Sequence, residues 1–196
     1  MADLMVETHP LPPFAPPNAK LLMLGSFPPP RARWKMDFYY PNFQNDMWRI
    51  FGLVFFGDKD YFVEAGGKAF KEGLIRAFLA EKGISISDTA YQVRRLQGNA
   101  ADKFLQIVKP LDLAALLATM PHCQTVMTTG ELATDTLLSL MPSETAKPKI
   151  GHYVQAEFGG RLLHLYRMPS SSRAYPLALD KKAAIYERFF KEIGLL

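Results

Sequence analysis

Cysteine is almost absent from this chain. Cys123 is the only one in 196 residues, so there can be no internal disulfide and no four-cysteine zinc or iron–sulfur site. Histidine is scarce as well. His9, His122, His152 and His164 stand without metal-ligand spacing, and a zinc-activated water is not expected. His164 reads as a packed or surface residue of a strand rather than a catalyst. No apolar run is long enough to span a bilayer, and no basic-then-apolar leader opens the chain; the expectation is a soluble, cytoplasmic protein. The Gly-x-x-x-x-Gly-Lys phosphate loop and the Gly-x-Ser-x-Gly nucleophile elbow are both missing. Charge of one sign is modest: the net +4 is compatible with a polyanionic partner without requiring one.

What the chain does have is apolar residues enough, 48%, for one globular domain with its own core. Residues 1–19, with Pro10, Pro12, Pro13, Pro16 and Pro17, read as an extended, weakly ordered arm before a single domain over 20–196. That domain is organised around residues 20–56. A short apolar strand over 21–24 breaks at Gly25-Ser26, and Pro28, Pro29 and Pro30 then forbid a helix. A basic, aromatic loop follows with Arg31, Arg33, Trp34, Lys35, Phe38, Tyr39 and Tyr40. Beyond a polar knot over 42–46, Met47, Ile50, Phe51 and Val54 make one helical stripe.

Further along, 67–82 reads as a helix with Phe70, Leu74, Phe78 and Leu79 inward and Gly83 as its C-cap. Residues 84–87 read as a strand ending at Asp88-Thr89, and 91–95 as a basic loop. Helical pattern is expected over 101–108 and 112–119. A third strand over 124–128 closes at Thr129-Gly130 before a helix starting near Glu131. Residues 153–158 and 161–167, joined by Gly159-Gly160, read as a β-hairpin, and Met168-Pro169-Ser170-Ser171-Ser172-Arg173 follows. The last helix is expected over 180–193, with Asp180 as N-cap, Tyr186, Phe189, Phe190 and Ile193 on one face, and Lys181, Lys182 and Arg188 on its wet face. Strands alternating with helices indicate an α/β fold with a mainly parallel sheet. Its strand ends, at Gly25-Ser26, Asp88-Thr89, Thr129-Gly130 and Pro169-Ser170, should converge on one edge.

Three of these stretches carry a resemblance. Leu24-Gly25-Ser26-Phe27-Pro28, then Tyr39-Tyr40, then Asn45-Asp46-Met47-Trp48 resembles the first motif of the uracil-DNA glycosylase superfamily, above all its mismatch-specific and hypoxanthine branches. Residues 83–88 resemble the family's second strand, and residues 167–172 its final Pro-Ser loop. The resemblance implies a three-layer α/β sandwich around a four-stranded, mainly parallel sheet. It implies an enzyme that flips a deaminated base, uracil or hypoxanthine, out of DNA and hydrolyses its N-glycosidic bond in base excision repair. No metal and no cofactor are implied, and the protein is expected to act as a monomer on damaged or mismatched DNA.

On that resemblance Asn45 is the water-positioning residue, with Asn42 and Asp88 in reserve. The backbone of Gly25, Ser26 and Phe27, the ring of Tyr40 (Tyr39 next) and the side chain of Thr129 are candidates for holding the base. Arg31, Pro169, Ser170, Ser171, Ser172 and Arg173 are candidate DNA contacts. The chain departs from the family at two places: Phe27 stands where many members carry Asn or Asp, and Met168 precedes the last-loop proline where some branches carry His. Each residue also has a plainer reading. Asn45 or Asp46 would cap the helix that follows, paired tyrosines pack cores, and Arg31, Arg33 and Lys35 would be a solvated charge run. Two alternatives to the enzyme follow: a catalytically inactive module that binds nucleic acid or nucleotide, and a small-molecule hydrolase using the same edge.

Overall fold

The structure, a computed structural model, describes residues 4–98 and 101–196. In chain order its elements are β1 (Val6–Thr8), β2 (Leu21–Gly25), α1 (Met47–Phe56), α2 (Glu72–Lys82), β3 (Ile84–Asp88), β4 (Ala90–Arg95), β5 (Leu105–Pro110), α3 (Leu113–Ala118), β6 (Thr125–Thr129), α4 (Glu131–Leu138), β7 (His152–Phe158), β8 (Arg161–Met168) and α5 (Leu179–Glu192).

The central sheet has five strands in the order β3-β2-β6-β8-β7. The first four run parallel, and β7 lies antiparallel on the β8 edge. The expected four-stranded sheet is thus extended by the outer arm of its own hairpin, which pairs with β8 from His152↔Arg167 to Phe158↔Arg161. Alternation along the strands sorts the core into two halves. Leu21 and Met23 face a cluster with Trp48, Phe51, Ile75, Phe78, Tyr186 and Phe190 of α1, α2 and α5. Leu22 and Leu24 face Leu113, Leu116 and Leu117 of α3 and Leu137 of α4. The result is three layers, with both faces of the sheet covered.

Local chemistry sets the helix ends. Asn45 Oδ1 accepts the Met47 N–H at 2.9 Å where α1 begins, and Asp112 accepts the Ala115 N–H in front of α3. Gly83 closes α2 in the left-handed conformation, φ 70°. α2 starts at Glu72 rather than 67, because residues 62–71 fold back on themselves: Val63 bridges Phe70 and Lys71 N–H reaches Phe62 O. Leu74 is consequently exposed, and Ile75 takes the inward place. Ala178, not Asp180, caps α5; Asp180 lies in its first turn, still favourable against the helix dipole.

A second, antiparallel sheet of order β1-β4-β5 was not legible from local pattern. The expected basic loop over 91–95 lies in the strand β4, and the second half of the expected helix over 101–108 is the strand β5, whose Ile107 and Val108 are β-branched. The proline-rich arm is stitched to the body. Val6–Thr8 pairs with β4, Phe14 bridges Ile86, and Glu7 is paired with Arg95 at 3.0 Å. No helix among the described residues is long and apolar enough to cross a membrane.

Candidate active site at the sheet edge

The parallel strands end level with one another. Gly25 is in register with Asp88, Leu24 with Thr128, and Thr129 with Met168. Gly25 is required for close approach: a Cβ there would stand 2.6 Å from Asp88 Oδ1 and 3.2 Å from Tyr40 Oη. Tyr40 and Thr129 share a hydrogen bond of 3.1 Å between their hydroxyls. Tyr40 is also the one non-glycine among the described residues with positive φ, at 52°, a conformation costing about 1–2 kcal/mol for an L-residue. Its ring meets Trp48 edge-on at 6.0 Å. Burial and the nearby Asp88 charge push its hydroxyl well above the ordinary phenol range, so it stays protonated and able to donate.

Two carboxylates flank this centre. His9 Nε2 donates to Asp88 Oδ2 at 2.7 Å, and its Nδ1 lies 3.0 Å from Leu11 O and 3.1 Å from Leu11 N. Ser26 Oγ donates to Asp102 Oδ1 at 2.7 Å. Asp102 Oδ2 lies 3.8 Å from where a Gly130 Cβ would be, and Ser170 Cβ lies 3.9 Å from the same point. Asp102 therefore joins the ends of β2 and β6 beside the Pro-Ser loop. Burial, reinforced by the Asp88 charge and opposed by the Ser26 hydrogen bond, raises its carboxyl above the usual aspartate range.

Neither His9 nor Asp102 was anticipated. His9 lay in the arm read as loose, and Asp102 in the segment read as helical. Nothing within a few residues of either signals a site.

A third buried group holds the loops. Lys182 was expected on the wet face of the last helix, but it is fully buried. Its Nζ donates to Asp46 Oδ2 at 3.2 Å and to Ser172 O at 2.8 Å. Here a signal did exist, since Lys182 stands four residues before Tyr186 and eight before Phe190, on the apolar face.

The other expected site residues separate into two groups. Gly25, Ser26, Tyr40, Asp88, Thr129 and Ser170 meet at the edge. Tyr39 does not: it is buried, and its hydroxyl donates to Pro12 O at 2.9 Å. Phe27 packs its ring with Ala90, Val93 and Leu105 and edge-on against His9, leaving only its backbone to the loop. Pro169 and Ser171 are buried, their carbonyls accepting from Tyr186 and from the Asp46 N–H, so neither side chain is a surface contact for DNA. Ser172 bridges Asn45. Arg173 is exposed and donates to Asp46 and Gln44. Arg31 pairs with Asp37 and stacks on Trp34 at 4.3 Å. Asn42 Oδ1 accepts the Gln44 N–H at 3.0 Å, closing a turn. Among the described residues, no group of three or more His, Cys, Asp or Glu is placed to hold a metal ion.

Eighteen solved chains match this one. One is a solution NMR structure from Methanosarcina acetivorans, assigned provisionally as a uracil DNA glycosylase. It superposes with a TM-score of 0.61 over 97% of this chain and 99% of its own, at 19% identity. The two chains share one fold. At that identity the likeness is one of architecture, and it extends from the proline-rich arm to the last helix. No protein-family model matches the sequence, and no curated protein is similar to it.

Proposed function

We propose that the chain is a monofunctional DNA glycosylase acting on a deaminated base, uracil or hypoxanthine. The observation that carries this reading is the meeting of Gly25, Tyr40, Thr129, Asp88 and Asp102 at one sheet edge, beside Ser170. In the reaction a water oxygen bonds to C1′ of the flipped nucleotide and the C1′–N bond breaks. The base leaves as an anion and takes up a proton, and an abasic site remains. The Tyr40–Thr129 hydroxyl pair, which has one proton left outside its mutual hydrogen bond, and the first-loop backbone are donors to the departing base. Asp102 supplies the carboxylate that the first loop lacks where Phe27 stands. It accepts a hydrogen bond from the attacking water, and the charges of Asp102 and Asp88 favour the cationic sugar.

Asn45 keeps a part in this scheme. Its Oδ1 is committed to the Met47 N–H, which fixes the carboxamide and leaves Nδ2 as a donor to orient water. Asn42 and Tyr39 have none.

The test is incubation of the purified protein with oligonucleotides carrying uracil, hypoxanthine, xanthine or a thymine mismatch, followed by alkali. Scission at uracil or hypoxanthine is expected. Intact strands throughout, beside a working control enzyme, reject the reading. The Phe27 ring, buried and turned from the edge, favours one rival: a module of the same fold that binds DNA and releases no base.

A further inference from the structure

The loop before α1 forms a concave surface. Ala32, Arg33, Lys35, Asn42, Phe43, Gln44 and Lys68 line an open hollow of about 450 Å³. Three of the seven are cations and none is acidic. Arg33, Lys35 and Lys68 take part in none of the ion pairs formed among the described residues, although neighbouring Arg31, Arg76 and Arg173 each have an acidic partner. Three uncompensated cations in one hollow repel each other, and an anion relieves that repulsion.

The hollow is held in shape. Trp34 bridges Asn42, Lys35 N–H donates to Pro41 O at 2.9 Å, and Asn42 fixes the Gln44 backbone. Phe43, backed by Arg49 at 4.3 Å on its ring, supplies an apolar wall beside the amides of Asn42 and Gln44. Cations, amides and an aromatic wall suit a phosphate–sugar backbone. The hollow is tied to the Pro-Ser loop, because Gln44 Oε1 accepts from Arg173 Nη1 at 3.1 Å and Arg173 follows that loop.

We infer that this hollow is a phosphodiester subsite, in which Arg33, Lys35 and Lys68 hold the DNA backbone flanking the extruded nucleotide. The inference rests on the glycosylase reading for its partner, but its test does not depend on base release. Binding of the protein to a duplex carrying a non-cleavable abasic analogue is followed by fluorescence anisotropy across a salt series. Each phosphate engaged contributes about 0.9 to the slope of log affinity against log salt. The variant R33Q/K35Q/K68Q is expected to reduce that slope by roughly 2 to 3 and to weaken binding at least tenfold at low salt. K20Q/K82Q removes two cations at the opposite edge, before β2 and before β3, and is expected to leave both quantities as in the unaltered protein. A triple variant with unchanged slope, an equal fall in the control variant, or an unaltered protein that does not bind the duplex each overturns the inference. DNA binding through the hollow with no base released would sink the glycosylase reading alone, and base release with an unchanged slope would sink this one alone.

Discussion

Lys182 Nζ lies 3.2 Å from Asp46 Oδ2. The pair is buried under the junction of three segments: the loop before α1, the Pro-Ser loop after β8, and α5 itself. Removing Asp46 strands the buried amine, whereas removing Lys182 leaves Asp46 its second partner, Arg173. Asp46→Ala is expected to cost about 3–5 kcal/mol in urea unfolding, while Lys182→Met with Asp46→Asn loses far less. A single variant within about 1 kcal/mol of the unaltered protein, well short of the usual loss for a broken buried pair, would show that the amine is not confined there.

Gly25→Ala sets a methyl group against Asp88 Oδ1 at 2.6 Å. That oxygen must move, and Tyr40 with it. Displacements of about 1 Å can cost a hundredfold in rate, so base release is expected to fall by about that factor with the fold retained. Full activity would exclude the Gly25–Asp88 approach from the chemistry.

Asp102 gives a pH signature. Its carboxyl is raised in the folded chain, so the stability it contributes is complete below the ordinary aspartate value of about 3.9 and is lost as pH rises through the folded value. Asp102→Asn removes that loss. The variant is therefore expected to melt no lower than the unaltered protein at neutral pH, and its base release is expected to fall by about 10²–10⁴. In the unaltered enzyme, base release should decline as pH drops through the same raised value. Full activity in the variant would remove Asp102 from the mechanism.

Asn45 separates cap from chemistry. Asn45→Ala should cost roughly 1 kcal/mol through loss of the cap and should abolish base release. Asn45→Ser preserves a capping oxygen, so stability should recover while base release does not. Recovery of both in the serine variant would leave Asn45 as a cap only.

His9→Ala withdraws a charge-assisted partner from Asp88, worth about 1.5–3 kcal/mol, and one tie of the arm to the body. A lowered melting temperature with faster proteolysis of the arm is expected; unchanged values for both would show that the arm is held by its strand pairing alone.

Local pattern carried a great deal of this molecule. The run Leu21–Leu24 reads as a buried strand, the stripe from Met47 to Val54 as a helix and Gly159-Gly160 as a hairpin turn, and each takes that form in the structure. From these follow the layers and the shared edge of Gly25, Asp88, Thr129 and Pro169. What local pattern could not carry was any feature whose cause lies far along the chain. Val6 becomes a strand because Arg94 is there to pair with it, and Asp102 enters the site because Ser26 holds it. Turn residues and apolar periodicity act between near neighbours and are written in the sequence itself. Pairing between strands as distant in the chain as β1 and β4, and the burial of a charge such as Lys182, exist only once the chain has closed on itself, so the tertiary structure alone decided them.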